Sequence, residues 1–208
     1  MPPPPPYQAL DYGVAARPLP GQKDSGDLHA VIAVPLGLLV AVVDGVGHGY
    51  EAAVAARVTM ITLKEEAHLP LPRLIERCHE TLRGTRGVAM CAACLNWRDE
   101  SMNWLSVGNV MGVLLRAGAD GSLEREHILA RGGVVGHRLP PLRASTLRLH
   151  PGDLLVFATD GLREQCYTEV RLDVRPQEAA NRILAKYAKA TDDALALVGR
   201  WNGPPPLS

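Results

Sequence analysis

Five aspartates occupy places where chemistry could start: Asp27, Asp44, Asp160 and the adjacent pair Asp192 and Asp193. Each lies at the start or end of a strongly apolar run. One such aspartate is ordinarily a turn residue or a helix cap. Recurrence of the same context along the chain points further. Carboxylates on strand ends can converge at one edge of a sheet packing, and several unpaired ones cannot share a site without a cation. Oxygen-only ligands favour magnesium or manganese over zinc. Two such ions close together lower the pKa of a bridging water and clamp a phosphoryl oxygen. The residues alone therefore predict metal-assisted hydrolysis, with a phosphate ester as the first substrate to consider.

The stretch that must position these acids runs from Leu38 to Gly49, Leu-Leu-Val-Ala-Val-Val-Asp-Gly-Val-Gly-His-Gly. Its first half is apolar on both faces and valine-rich, which reads as a buried strand. It ends in Asp44 and then in glycines at alternate positions, which let the backbone turn tightly and let another group approach. Glu51 to Arg57 is alanine-rich and helix-forming. An acid thus sits at the mouth of a rigid strand, beside a bare turn and a helix N-terminus, where a hard cation or a phosphate could be held.

The rest of the chain supplies short strands and a few helices. Asp11 to Arg17 reads as an edge strand and Leu28 to Val34 as a second strand, with Pro35-Leu36-Gly37 a hairpin turn into the central one. A helix is predicted from Gly49 to about His68, with Ala53, Ala56, Met60 and Leu63 at helical spacing. Pro70 and Pro72 separate it from a second helix over Leu74 to Leu82. Strands follow at Val88 to Trp97, Met102 to Val107 and Val110 to Arg116, with further candidates at Ser122 to Ala130 and Ser145 to Leu149. Asp153 to Gly161 repeats the opening device of apolar strand, aspartate and glycine. Glu178 to Ala190 reads as a helix and Ala194 to Trp201 as a last strand. Helices gather between runs of hairpin-linked strands, without strand–helix alternation. This predicts an α+β single domain, antiparallel sheets covered by helices.

Composition narrows the classes. A chain of 208 residues has room for a sizeable core. With 22 basic and 22 acidic side chains and no basic stripe, it gives no ground for nucleic-acid binding. Its longest apolar stretch, Ala30 to Val43, is broken by Pro35 and Gly37 and is too short to span a bilayer. No charged start followed by an apolar segment marks a signal peptide. Its four scattered cysteines suit a reducing cytoplasm. A single Phe requires an aliphatic core. The proline runs near each end, Pro2 to Pro6 and Pro204 to Pro206, read as extended tails.

Two competing signatures fail on context. Gly47-x-Gly49-x-x-Ala52 after a strand fits a dinucleotide fingerprint, but the required acid near the end of a second parallel strand is missing, since Glu65 and Glu66 fall within the helix. Cys91-x-x-Cys94 suggests zinc or a redox pair, yet residues three apart on a strand point to opposite faces. Buried structural thiols are the better reading. Trp97, Trp104 and Trp201 read as packing residues.

The ordered set Gly26-Asp27, Val43-Asp44-Gly45-Val46-Gly47-His48-Gly49, Thr159-Asp160-Gly161 and Asp192-Asp193 resembles the motifs of metal-dependent serine/threonine protein phosphatases, the PPM or protein phosphatase 2C class. The Asp-Gly-x-Gly-x-Gly form is similar to its bacterial SpoIIE-like branch. Arg77-Cys78-His79, Thr85-Arg86-Gly87, Ser106 to Val110 and the ending from Asp192 to Gly199 resemble the RsbX-like group of that branch, which acts on the stressosome. The resemblance covers about Gly21 to Arg200.

That resemblance implies a β-sandwich flanked by helices, as 1–10 proline-rich tail, 11–201 phosphatase domain and 202–208 proline-containing tail. It implies manganese or magnesium, as two ions, with Asp44 bridging them and the Gly45 carbonyl a further ligand. Asp160 and Asp192 would hold metal from the other side, and Asp27 directly or through water. Asp44 and Asp160 carry the catalytic role, by attack of a metal-bridging hydroxide. By register Asp192 fits the last ligand better than Asp193. The implied substrates are phosphoserine and phosphothreonine on STAS-domain stressosome proteins. Two departures stand out. Leu195 occupies a place usually held by Thr or Ser, and Val46 stands where eukaryotic members have a histidine. His48, two residues on, is therefore not assigned as general acid. A catalytically silent phosphatase-like module that binds a signalling partner is the alternative.

Overall fold

Side chains of the central strand point alternately into two separate cores, and that alternation sets the layers of the molecule. In the computed structural model, which describes residues 9–168 and 170–204, the strand spans Gly37–Gly45. Leu38, Val40 and Val42 enter one core, and Leu39, Ala41 and Val43 enter another. A strand buried on both faces needs no polar alternation, which is why its sequence is a continuous apolar run.

The elements in order are β1 (Leu10–Arg17), β2 (Asp27–Val34), β3 (Gly37–Gly45), α1 (Tyr50–Glu66), α2 (Leu71–Thr81), β4 (Val88–Asn96), β5 (Ser101–Val107), β6 (Met111–Ala117), β7 (Leu123–His127), β8 (Ser145–Arg148), β9 (Leu154–Ala158), a 3-10 turn at Glu164–Tyr167, α3 (Pro176–Tyr187) and β10 (Ala194–Trp201). Two five-stranded sheets result, ordered β1-β10-β9-β6-β7 and β2-β3-β4-β5-β8. Every pairing between these strands is antiparallel. α1 and α2 cover the second sheet, and α3 covers the first through β1 and β10. The predicted sandwich flanked by helices is observed.

Three apolar layers hold these four tiers together. Between the sheets lie Phe157, Trp104 and Trp201 with aliphatic neighbours. Under α1 and α2 lie Leu63, Leu74 and Ile75 against Met90 and Leu105. Under α3 lie Ala179, Ala180 and Ile183 against Val156 and Val198. Each fully buried Leu, Val or Phe contributes about 1.5–3 kcal/mol relative to exposure. Cys91 sits in the inter-sheet core and Cys94 packs in the helix-side core, so their strand does send them to opposite faces. Both thiols are free, and burial pushes Cys94 up to about 11. No helix among the described residues is long and apolar enough to cross a membrane.

Three expected boundaries shift. α2 begins at Leu71 rather than Leu74, because Pro72 lies within its first turn, where a missing N–H costs nothing. α3 likewise starts at Pro176 and stops at Tyr187, where Ala188 leaves the helix to bridge Leu162. The strand expected over Ser122 to Ala130 is only Leu123–His127. Pro2 to Pro6, Pro205 and Pro206 lie outside the described residues.

Candidate metal centre

Asp27 opens β2 and Asp44 is the penultimate residue of β3, and the register of the hairpin makes them direct partners. The turn at Pro35-Leu36 fixes that register: Val34 pairs with Gly37, and counting back along both strands brings the two acids opposite each other. Directly opposed like charges are unfavourable in a sheet. A third acid arrives from the other sheet, where β9 ends at Ala158 and Asp160 follows two residues later. Asp192 and Asp193 precede β10, the strand paired with β9. All five expected acids thus meet at one edge between the sheets.

Thr159 links the sheets at this edge. Its hydroxyl donates to Asp27 Oδ2 at 2.7 Å and accepts from the Leu195 N–H at 2.9 Å. Asp160 is steadied by Asn109, whose Nδ2 donates to Oδ2 at 2.5 Å, while Lys189 Nζ donates to its backbone carbonyl at 2.5 Å. Gly45 is needed for close approach: a Cβ there would lie 2.2 Å from the Ala52 carbonyl oxygen, so any side chain would push the start of α1 off the strand end.

Burial is the largest cause of strain on the two paired acids. It pushes Asp27 up to about 7, opposed by the Thr159 hydrogen bond and reinforced by the charges of Asp193, Asp192 and Asp160. Burial pushes Asp44 up to about 9, reinforced by Asp27, Asp160, Asp192 and Asp193. Asp192 is also raised, by burial first. Among the described residues, none of Asp27, Asp44, Asp160 and Asp192 is in an ion pair with lysine or arginine. Nor do three His, Cys, Asp or Glu side chains already form a finished ligand cage there. What the chain offers is a set of uncompensated carboxylates within electrostatic reach of one another. A hard divalent cation fits that donor set, because it supplies the missing counter-charge with oxygen ligands alone.

The adjacent pair is divided by its hydrogen bonds. Asp193 is buried and both of its oxygens are taken, Oδ1 by the Leu19 N–H and Oδ2 by the Gly26 N–H, each at 2.7 Å. Asp192 is half-buried, and among the described residues its carboxylate accepts only from the Asp193 N–H, at 2.9 Å. His48 is exposed on the turn, close enough to Asp192 to offset part of its rise. Leu195 sends its side chain into the inter-sheet core and meets Thr159 through its backbone, its N–H donating to the Thr159 hydroxyl and its carbonyl accepting from the Thr159 N–H at 3.1 Å. The sequence motifs contain Thr159 and Asn109 but give neither a supporting role, and Lys189 is in none of them. Thr159 and Asn109 had a signal in their place beside the Asp160 strand end and the Gly108 turn; Lys189 had none.

Two antiparallel sheets with helices outside and an acid cluster at the sheet edge define the PPM-type phosphatases. The sequence profile of stage II sporulation protein E (SpoIIE) matches residues 35–202, and the chain belongs to that family. It is 23% identical over 183 residues to the phosphoserine phosphatase RsbX of Bacillus subtilis (strain 168), covering 88% of this chain and 90% of that protein. A solved chain from work on the bacterial stressosome, a modular system adapted to control secondary messenger signalling, superposes with a TM-score of 0.82 at 29% identity, over 92% of this chain and 99% of that one. RsbX in complex with magnesium superposes with a TM-score of 0.82 at 22% identity, over 93% and 96% of the two chains. The chain is a phosphatase, close to RsbX within the family.

Proposed function

We propose that this chain is a cytoplasmic, manganese- or magnesium-dependent phosphoprotein phosphatase that removes phosphate from phosphoserine and phosphothreonine on STAS-domain stressosome proteins. The observation that carries the reading is the opposed pair of buried Asp27 and half-buried Asp44, whose charge no lysine or arginine ion pair balances among the described residues. Similarity to RsbX, a phosphoserine phosphatase seen with magnesium, and to a stressosome-related chain supports the substrate class. Four free thiols support the reducing compartment. In this reading the phosphatase domain runs over 11–201.

In this reading Asp44, the Gly45 carbonyl, Asp160, Asp192 and Asp27 hold the metal. Two divalent ions, when bound, supply an acidified water and the positive charge that neutralises the phosphoryl oxygens. The chain's own work is positional. Thr159 fixes the Asp27 carboxylate, Asn109 fixes Asp160, and the close-packed start of α1 holds the Asp44-Gly45 backbone. Such outer partners orient ligands and commonly matter about 10–100-fold in metal affinity or activity.

The test compares phosphate release from a phosphoserine-loaded STAS-domain protein and from an unrelated phosphoserine protein, each with manganese. Faster release from the STAS protein is expected. Equal rates would keep the enzyme class and remove the stressosome substrate, and no release from either would leave a silent binding module.

A further inference from the structure

Directly beyond Asp44 the chain borders a groove of about 490 Å³, lined by Val46, Tyr50, Val54, Thr85, Arg86 and His137. One wall is the start of α1; the other is the loop between α2 and β4. The loop is fastened to the turn by the Val46 N–H, which donates to the Gly87 carbonyl at 3.0 Å. Arg86 crosses this junction. Its guanidinium lies against Gly47, where φ is +86° and a Cβ would come within 2.8 Å of Nη1, and it pairs with Glu51.

Val46 and Tyr50 are 40% and 70% exposed, two of the five large hydrophobic side chains exposed among the described residues. Exposed apolar surface gathered in one concavity marks a contact site, and the groove has the size of a small-ligand pocket. Its charge is balanced, since Glu51 answers Arg86 and Asp24 answers Arg57, which lies over the Tyr50 ring. A serine or threonine side chain is short, so its own backbone must reach the rim of that centre. Neighbours along an extended chain follow at about 3.3 Å per residue. Val46 stands two residues from Asp44.

We propose that this groove seats the substrate polypeptide beside the phosphorylated serine or threonine, with an uncharged apolar side chain of that segment over Val46 and Tyr50. This rests on the phosphatase reading above. A polar or charged neighbour would leave the Val46–Tyr50 surface wet. Tyr50 and Val54 are then specificity-determining residues outside the metal centre.

The experiment uses two phosphoserine peptides that differ only in carrying Leu or Ser on each side of the phosphoserine, together with an aryl phosphate, all with manganese. Wild type is expected to favour the Leu peptide by about tenfold in kcat/KM, mainly through KM, and Tyr50→Ser or Val54→Ser to reduce that to about twofold with aryl phosphate turnover unchanged. No preference in wild type, or one that survives both substitutions, overturns the groove. Wild type that hydrolyses none of the three substrates faults the phosphatase reading instead. The groove is then judged by fluorescence anisotropy of the labelled Leu peptide, which Tyr50→Ser must weaken by about tenfold; equal binding by the two proteins overturns it.

Discussion

Asp27 and Asp44 are cross-strand partners at the open end of the β2–β3 hairpin, and both are held well above the ordinary carboxylate value of 3.8, at about 7 and about 9. The unfolded chain has ordinary carboxylates, so between about pH 4 and pH 9 the folded protein binds more protons than the unfolded one. For these two groups stability is therefore highest at the acid end of that window and falls as pH rises through it. Thermal unfolding of metal-free protein and of Asp44→Asn reads this directly. Expected is a Tm that drops from about pH 5 to about pH 9 more steeply in wild type, with Asp44→Asn about 3–6 °C higher at the alkaline end. Parallel profiles would contradict the strained pair.

Protonated acids must release their protons when a cation takes their place. Manganese binding near pH 7 is expected to expel between one and two protons, about the sum for Asp44 and a half-titrated Asp27. Calorimetry in buffers of different ionisation enthalpy measures that number. Binding without proton release would mean that the ion sits elsewhere.

Asp192 and Asp193 separate by what each substitution breaks. Asp193→Ala strands the Leu19 and Gly26 N–H groups and should cost about 2–4 kcal/mol in denaturant unfolding. Asp192→Ala should unfold within about 0.5 kcal/mol of wild type yet bind manganese more weakly. The reverse pattern would exchange their roles.

Thr159→Val keeps the shape and removes the hydroxyl that joins Asp27 to the Leu195 backbone. Manganese affinity should fall by about 10–100-fold, as for other outer partners of metal ligands. Unchanged affinity would make Thr159 a purely structural link between the sheets.

Much of this arrangement was legible along the chain, because the strand-then-aspartate device is local. The β2–β3 hairpin followed from Pro35 to Gly37, and the opposite-facing thiols of Cys91 and Cys94 from strand alternation alone. The pairing of β1 with β10 joins segments at the two ends of the fold, and no periodicity encodes a partner so far away. The division between Asp192 and Asp193 was offered only by the register of the resemblance, which favours Asp192, and not by the residues themselves. It depends on which carboxylate meets the backbone of residues 19 and 26, a contact made only on folding. Pro72 misled at the start of α2 because a first-turn proline looks like a breaker until the turn is seen.

The most direct measurement is phosphate release from a phosphoserine-loaded STAS-domain protein by wild type and Asp44→Asn, each with manganese and with chelator. Expected is release by wild type with manganese, none with chelator, and a loss of about a hundredfold or more in the folded variant. Turnover that persists in chelator, or in Asp44→Asn at near the wild-type rate, would place the chemistry outside the carboxylate cluster.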